Sequence, residues 1–316
     1  MRRTRGRAFA LGTLTALLIL LLLEGVLQLF SFGARTWLAL RPVEAAGAET
    51  ITLLCVGDSH TYGAALPREH SYPSQLEARL EALHPGRGFR VLNFGVPGVN
   101  SAFVANRLEQ QILQHAPHMV LVWVGTNNRW NALETEAWGD AGAGRALHRV
   151  LLRAKLYRLA RVLWFGTAGA NHAPAVRDVA GFRLGDELAL AKRRPKRLSD
   201  AELEPGLAFD MERMVATARS LGAPILFVTY PRWTQAGASR TLRMHAATLG
   251  VPVVDTAALF EQALAEGRRE GELIVMAAGP HPTALLYAHV VEAMLPVVEA
   301  ELRARGIRLG PESASR

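Results

Sequence analysis

Beyond residue 50 the chain alternates between short apolar runs and longer segments whose apolar residues recur every three or four positions. The apolar runs predict five buried strands: Ile51–Gly57, Phe89–Phe94, Met119–Val124, Ala223–Thr229 and Val251–Val254. Helical spacing between them, as at Leu76, Leu80 and Leu83, predicts helices. Short buried strands separated by helices are typical of a parallel sheet covered on both faces. We therefore predict a three-layer α/β/α sandwich around a mostly parallel, five-stranded sheet.

Several helices of this body have clear bounds in the sequence. They are Tyr72–Leu83, Ala102–Gln114 and Pro282–Arg305, the last of which is stopped by Gly306. Residues 131–200 break the alternation of strands and helices, and we interpret them as an insertion. The predicted domain covers residues 51–306, and residues 307–316 form a C-terminal tail.

The first 50 residues form a different pattern. Residues 1–7 are an arginine-rich arm, and residues 8–32 are predominantly apolar and carry a single charge, Glu24. About 20 apolar residues cross the hydrocarbon core of a bilayer, so this stretch is long enough to span it. Arginines before a span favour a cytoplasmic N-terminus. We predict a basic cytoplasmic arm, a single-pass transmembrane signal anchor in the inner membrane, a linker at residues 33–50, and a domain outside the cytoplasm.

A cleaved signal peptide is the alternative interpretation of this segment. Its apolar core would be about 7–15 residues long and would end in a small-x-small cleavage site. Phe32-Gly33-Ala34 has a large residue where a small one is needed, and Ala46-Gly47-Ala48 fits the pattern but lies far downstream. The sequence therefore favours an uncleaved anchor. In such a helix Glu24 lies about 24 Å beyond Ala8, near the far interface, where its carboxylate can reach headgroups.

The chain carries a formal net charge of +8, but its basic residues are concentrated locally. They lie in the N-terminal arm and in two stretches of the insertion, at residues 145–161 and 192–197. No nucleic-acid-binding signature accompanies them, which argues against a nucleic acid partner. Two interpretations of the insertion stay open: a contact with an anionic surface or acidic polysaccharide, and a solvated, partly helical segment. The single cysteine, Cys55, excludes an internal disulfide framework and a multi-cysteine zinc site.

Residues that can carry chemistry follow the first three predicted strands and precede the last helix. Gly57-Asp58-Ser59 ends the first strand, Gly98 follows the second, Asn127 follows the third, and His281 stands before the last helix. Ligands bind beyond the carboxyl ends of parallel strands, so we expect these residues to converge. The four blocks, in this order, resemble the SGNH subgroup of the GDSL esterase/lipase family, and the resemblance spans about Ile51 to Leu302.

The resemblance implies a flavodoxin-like SGNH fold and a role for each block. Ser59 matches the nucleophile, and its backbone N–H also belongs to the oxyanion hole. Gly98 and Asn127 match the other oxyanion donors, and His281 matches the general base. Simpler roles also fit: Gly98 in a type II turn, Asn127 in its own turn, and His281 as a helix cap. His60 is expected to point away from the site. The resemblance implies no cofactor and no metal.

The sequence departs from the family at the residue that orients the base. The family's last block reads Asp-x-x-His, but Ala278 stands three residues before His281. Three explanations are open. Ser59 and His281 act as a dyad with a backbone carbonyl holding His281, or Asp255 after the fifth strand supplies the acid, or the domain binds ligand without catalysis. Asp255 also fits an N-cap of the helix that begins at Thr256.

The resemblance implies an esterase that hydrolyses or transfers an ester-linked acyl group. An external membrane tether favours acyl esters of cell-envelope lipid or polysaccharide as the substrate. Two alternatives remain open at this point: an acyl-binding pseudoenzyme in envelope assembly, and a polysaccharide O-acyltransferase that passes the acyl group to a sugar hydroxyl.

Overall fold

The computed structural model describes residues 2–40, 50–131, 151, 154–157, 159–160, 199–276 and 279–309. The chain forms two compact units. The first comprises Met1–Pro42 with Trp138–His172, and the second comprises Val43–Ala137 with Ala173–Arg316. Most of the predicted insertion, both of its basic stretches apart from a few positions, and Ala278 lie outside the described residues.

The first unit contains one long helix, α1, over Arg2–Leu40. Its segment Leu11–Phe30 is 20 residues long, and none of it is buried in the protein. At about 1.5 Å per residue this segment is about 30 Å long, which matches the thickness of a bilayer's hydrocarbon core. The helix is therefore long and apolar enough to cross a membrane, a property that signal sequences near an N-terminus share.

The single charge of the apolar segment has partners within the protein. The Glu24 carboxylate accepts hydrogen bonds from the backbone N–H groups of Lys155 and Leu156, each at 2.8 Å, and from the Gln28 amide at 2.6 Å. A charged group in an apolar surrounding is costly unless it is hydrogen-bonded. Glu24 therefore joins α1 to a part of the insertion, beyond the headgroup contact expected from the sequence.

The second unit is built on the predicted parallel sheet. Its strands are β1 Ile51–Gly57, β2 Phe89–Gly95, β3 Met119–Trp123, β4 Ile225–Val228 and β5 Val253–Val254. All of them are parallel, in the order β2-β1-β3-β4-β5, so the predicted α/β fold is confirmed. β5 begins two residues later than predicted because the Val251 N–H binds the Ala246 carbonyl at the end of a helix and Pro252 has no N–H.

Helices cover both faces of the sheet. They are α2 Ser59–Tyr62, α3 Tyr72–Leu83, α4 Ser101–His115, α5 Asp200–Ser220, α6 Ala236–Leu249, α7 Thr256–Ala265, α8 Glu270–Leu273 and α9 Ala284–Ala304. α5 contacts both α4 and α6 in one layer, and α9 contacts α3 and α7 in the other. The buried core between these layers is apolar, and the neighbouring strands β1 and β3 are buried throughout.

A short antiparallel pair precedes the last helix. β6 covers Ile274–Val275 and β7 covers His281–Pro282. The last helix therefore begins at Ala284 and not at Pro282, because Pro282 belongs to β7 and the Thr283 hydroxyl caps the helix by accepting from the Leu286 N–H. This places His281 on a strand outside the helix, and the cap position is filled by Thr283.

The strand order creates a crevice at the carboxyl end of β1. The chain leaves β1 toward β2 on one side and returns from β2 to β3 on the other, so the loops after β1 and β3 diverge. The one-turn helix α2 sits at this point and lies directly against the end of β2. A Cβ added at Gly95 would come within 2.1 Å of the Tyr62 nitrogen and 2.6 Å of the Thr61 carbonyl carbon. Only a glycine allows this approach.

We expect Gly95→Ala to lower the free energy of unfolding by about 1–3 kcal/mol or more, because the added methyl group meets backbone atoms that cannot rotate away. Gly271→Ala is the matched control, since a Cβ there meets no atom within 4 Å and the position is helical. That variant should be neutral or up to about 1 kcal/mol more stable. Chemical unfolding of the full chain in detergent measures both, and equal stability of the two variants would contradict the packing argument.

Candidate active site

Ser59 is the first residue of α2, immediately after the carboxyl end of β1. Asp58 caps the turn, and its carboxylate accepts a hydrogen bond from the His60 N–H at 2.9 Å. Gly63 ends the turn in the left-handed region, with φ 85°, and its N–H binds the Ser59 carbonyl. A single helical turn would not be stable alone, but here it is held at both ends, so the Ser59 side chain has a defined position at the sheet edge.

The structure brings Ser59 and His281 together across 222 residues of sequence. The Ser59 Oγ and the His281 Nε2 are 2.8 Å apart. The His281 Nδ1 is 3.1 Å from the Gly279 carbonyl oxygen, which can only accept a hydrogen bond. The hydrogen bonds therefore assign the neutral tautomer: Nδ1–H donates to Gly279, and Nε2 is left to accept the proton of the Ser59 hydroxyl.

The pKa of His281 is lowered to about 4, mainly by burial and to a smaller extent by the neighbouring His60. The Asp58 carboxylate and the Gly279 carbonyl act in the opposite direction, because both favour the protonated imidazole. His281 is 3% exposed and Ser59 is 1% exposed, so water screens neither of them effectively. The imidazole is consequently neutral, and able to accept a proton, throughout the neutral pH range.

The loops after β2 and β3 are tied to each other beside Ser59. Gly98 has φ 76°, which fits the third position of a type II turn after Pro97. Its carbonyl accepts from the Asn131 side chain at 2.8 Å, and the Asn127 side-chain amide donates to the Val99 carbonyl at 3.0 Å. Within the described residues, the backbone N–H groups of Ser59 and Gly98 have no acceptor. Both groups are thus open to an oxyanion.

Asn128, next to Asn127, joins this loop to the helices behind it. Its side chain accepts from the Ser101 N–H at 2.9 Å and donates to the Ser101 hydroxyl at 2.6 Å. The same hydroxyl donates to the buried Asp210 carboxylate at 2.5 Å. The sequence did not single out Ser101, Asp210 or Asn131. Only the four-residue spacing of Asn127 and Asn131 could have indicated a second structural amide.

The structure does not pair Asp255 with His281. The Asp255 carboxylate accepts from the Thr229 hydroxyl at 2.8 Å and from Arg243 at 3.1 Å. Asp255 occupies the N-cap position of α7, but its side chain makes no capping hydrogen bond. The hypothesis of Asp255 as the orienting acid is therefore wrong in this structure, because Arg243 and Thr229 engage its carboxylate and the Gly279 carbonyl engages the imidazole.

His60 lies next to the site, contrary to expectation. Its ring centroid is 4.9 Å from that of His281, with the planes inclined by 35°. The fully buried Asp58 carboxylate lies 3.3 Å from the Nδ1 of this ring and accepts from the Tyr230 hydroxyl at 2.5 Å. Sequence adjacency to Ser59 did not reveal this, since successive residues of a helical turn are rotated by about 100°. The contact depends on where β7 places His281.

A cavity of about 660 Å³ lies beside the pair, between β2 and α4. Aromatic residues, several amide side chains and two arginines line it, and neither Ser59 nor His281 does. Tyr62, one of the lining residues, belongs to the same helical turn as Ser59. The cavity therefore reaches the helical turn that carries Ser59, but neither Ser59 nor His281 lines it.

Other nucleophiles and metal sites find no support in the described residues. Cys55 is buried in β1, and burial raises the pKa of its thiol to about 12, so the thiol stays protonated and unreactive. Across the described ranges, no cluster of three or more His, Cys, Asp or Glu side chains is arranged to hold a metal ion.

Residues 55–289 match the model of the GDSL-like Lipase/Acylhydrolase family. The match covers most of the chain and includes Ser59, Gly98, Asn127 and His281. The chain belongs to this family. Like the family, it carries a serine at a strand end, and its structure adds a histidine within hydrogen-bonding distance of that serine.

Individual relatives share limited sequence identity with this chain. An arylesterase from Vibrio mimicus is 35% identical over 86 residues, which are 27% of this chain and 42% of that protein. The chain thus spans less than half the length of this curated relative. A crystal structure of TesA is 20% identical with a TM-score of 0.47, covering 79% of this chain and 99% of that one. The acetylxylan esterase Axe2 from Geobacillus stearothermophilus is 16% identical with a TM-score of 0.47, covering 83% and 97%.

The lowered pKa of His281 predicts how its burial affects stability. The folded-state pKa of about 4 lies below the ordinary value of 6.5, so the unfolded chain binds the proton more readily. Stability should be complete above pH 6.5 and should fall by about 3 kcal/mol as pH drops toward 4. His281→Gln should remove this part of the pH dependence. Denaturant unfolding of both proteins between pH 7 and pH 4 measures it, and parallel curves would contradict the pKa.

Proposed function

We propose that the chain is a membrane-anchored serine esterase of the SGNH type, which hydrolyses or transfers an ester-linked acyl group outside the cytoplasm. The observation that carries the proposal is the 2.8 Å contact between the Ser59 Oγ and the His281 Nε2, with Nδ1 held by the Gly279 carbonyl. This is the nucleophile-and-base arrangement that acyl transfer requires. The family's acylhydrolase activity supports the same reaction class.

The proposed reaction has two halves. The Ser59 Oγ attacks the ester carbonyl carbon while its proton passes to the His281 Nε2, and the carbonyl oxygen becomes an oxyanion. The N–H groups of Ser59 and Gly98, and the Asn127 amide, stabilise that oxyanion. The intermediate then breaks its bond to the alcohol, which leaves with the proton from His281. Water or an acceptor hydroxyl repeats the sequence on the acyl-enzyme, releasing the acyl product and restoring Ser59.

The orienting group of His281 limits the rate that this site can reach. A backbone carbonyl fixes the tautomer as well as a carboxylate does, but it carries no full negative charge to balance the imidazolium. Hydrogen bonds between neutral groups are weaker than charge-assisted ones. Loss of a triad acid costs about 10⁴ in kcat in the serine-protease template. We expect the chain to turn over activated esters more slowly than relatives with a complete triad.

The membrane segment and the cavity bear on the substrate. A helix that can span a membrane would place the domain beside the envelope, and the cavity combines apolar walls with amides and the side chains of Arg68 and Arg107. Such a surface suits an acyl ester of envelope lipid or of polysaccharide.

The Glu24 carboxylate of α1 accepts hydrogen bonds from the backbone N–H groups of Lys155 and Leu156 in the insertion. This contact supports a further proposal that the basic insertion contacts an anionic surface or polysaccharide.

Two alternatives have their own support. Near-complete burial of Ser59 and His281 limits the access of bulk water, which favours an O-acyltransferase that delivers the acyl group to a sugar hydroxyl. Turnover that depends on an added acceptor would identify it. The alanine at position 278 favours an acyl-binding pseudoenzyme in envelope assembly. A chain that binds acyl esters but does not react with a fluorophosphonate probe would identify that function.

Ser59→Ala should abolish fluorophosphonate labelling and lower ester turnover at least ~10³-fold, because the nucleophile is lost while the helical turn keeps its cap. The control is Ser220→Ala, which removes an exposed hydroxyl at the end of α5 that binds only the Thr217 carbonyl. Initial rates with an activated ester and gel-based labelling of the full chain measure the effect. Wild-type turnover in the Ser59 variant would refute the assignment.

The N-terminal segment should remain attached to the mature protein. Residues 8–32 are longer than the apolar core of a cleaved signal peptide, and no well-formed cleavage site follows them. Intact-mass measurement of the protein from the membrane fraction should therefore include residue 8 and the span. A mature start between Gly33 and Thr50 would show that the anchor is removed.

A further inference from the structure

The fully buried Asp58 carboxylate has a role that helix capping alone does not explain. It accepts hydrogen bonds from the His60 N–H, from the Tyr230 hydroxyl and, at 3.3 Å, from the His60 Nδ1. Among the described residues, His60 is the only group able to carry a positive charge that forms an ion pair with it. Removing a carboxylate from water costs free energy unless the charge is paired. This cost indicates that the Asp58 charge has a second role besides capping the helix.

The His60 ring connects Asp58 to the base. Its Nδ1 faces Asp58, and its Nε2 lies 3.3 Å from the Gln235 side-chain nitrogen and 3.2 Å from the Pro280 carbonyl. Gln235 accepts from the Arg232 N–H through its oxygen, which turns its NH₂ group toward His60. The Asp58 carboxylate can only accept, so the His60 Nδ1–H donates to it, and the same ring lies 4.9 Å from the His281 ring.

We propose that Asp58, acting through His60, is the positioning acid of this site and takes over the electrostatic task of the carboxylate that Ala278 lacks. This rests on the proposed function. During acylation His281 gains the Ser59 proton and becomes an imidazolium. The buried charge of Asp58 favours that state across a medium with little water, and the His60 ring contacts both Asp58 and His281. No proton moves beyond Ser59 and His281 in this step.

The proposed arrangement differs from a catalytic triad in two ways. The Gly279 carbonyl fixes the tautomer, while Asp58 supplies the negative charge, so two groups divide the work of one carboxylate. The charge acts through an intervening ring, and its effect must be smaller than that of an acid in direct contact. The titratable groups near His281 are Asp58, His60, Tyr230 after β4 and Tyr287 of α9, which donates to the His60 carbonyl. Burial raises the pKa of Tyr287 well above 10, so that group stays neutral.

The test removes the charge and keeps the cap. Asp58→Asn and Asp58→Ser both retain a side chain that accepts from the His60 N–H, since Asn and Ser cap helices about as well as Asp. Either variant should lower kcat about 10- to 100-fold with little change in KM, less than the ~10⁴ for an acid in direct contact with the base. Tyr230→Phe is the control, because it removes a hydrogen bond to Asp58 and leaves the charge in place.

A second readout separates electrostatics from structure. The pKa of His281, followed by NMR of its ring in the Ser59→Ala background, should fall below the wild-type value when Asp58 becomes Asn or Ser, because a negative charge that favours the imidazolium is gone. Tyr230→Phe should leave that pKa nearly unchanged. A slower Asp58 variant whose His281 pKa has not moved would overturn the proposal and assign Asp58 a structural role. Because the titration needs no turnover, failure of the proposed esterase activity would be seen separately.

Discussion

The site depends on one constraint, the close packing of a single helical turn against the end of the sheet. α2 has only four residues, and it carries Ser59 and His60 directly after the buried Asp58. Gly95 lets the backbone of that turn approach β2 without a side chain between them. Because β1 lies between β2 and β3 at the switch point, these two neighbours bring Gly98 and Asn127 to the same edge. A shift of this turn by one ångström would separate the nucleophile from every group that serves it.

The chemistry of the site follows from burial as much as from residue type. An imidazole this deeply enclosed stays neutral, which makes it an available base but opposes the imidazolium that catalysis requires. In a family member with the usual acid, a carboxylate in direct contact with the histidine would stabilise the imidazolium. In this chain the Gly279 carbonyl holds the ring, and the nearest buried negative charge belongs to the residue before the nucleophile. In the proposed mechanism, the first motif block would therefore supply both the nucleophile Ser59 and the negative charge of Asp58 that favours the imidazolium.

The sequence predicted the sheet better than it predicted the surroundings of the histidine. β1 and β3 are continuous apolar runs buried on both faces, and such runs have few alternative structures. Ser59 and His281 could be matched by motif because each lies next to a strand end. The orienting group could not be found in this way, because it is a backbone carbonyl that any residue provides. The partners of Asp255 and the position of His60 depend on long-range packing of α6 and β7, for which local patterns carry no signal.

The hydrogen bonds of Glu24 have a consequence for how the molecule can be divided. Its carboxylate accepts hydrogen bonds from two backbone N–H groups of the insertion, so helix α1 contacts the insertion in addition to being long enough to cross a membrane. A truncated chain that begins at Thr50 keeps the sheet and the catalytic pair, but it leaves the amides of Lys155 and Leu156 without their acceptor. The truncated chain and the complete chain therefore differ around Lys155 and Leu156. We expect them to differ in how they handle a polymeric or membrane-bound substrate, even when their reaction with a small ester is identical.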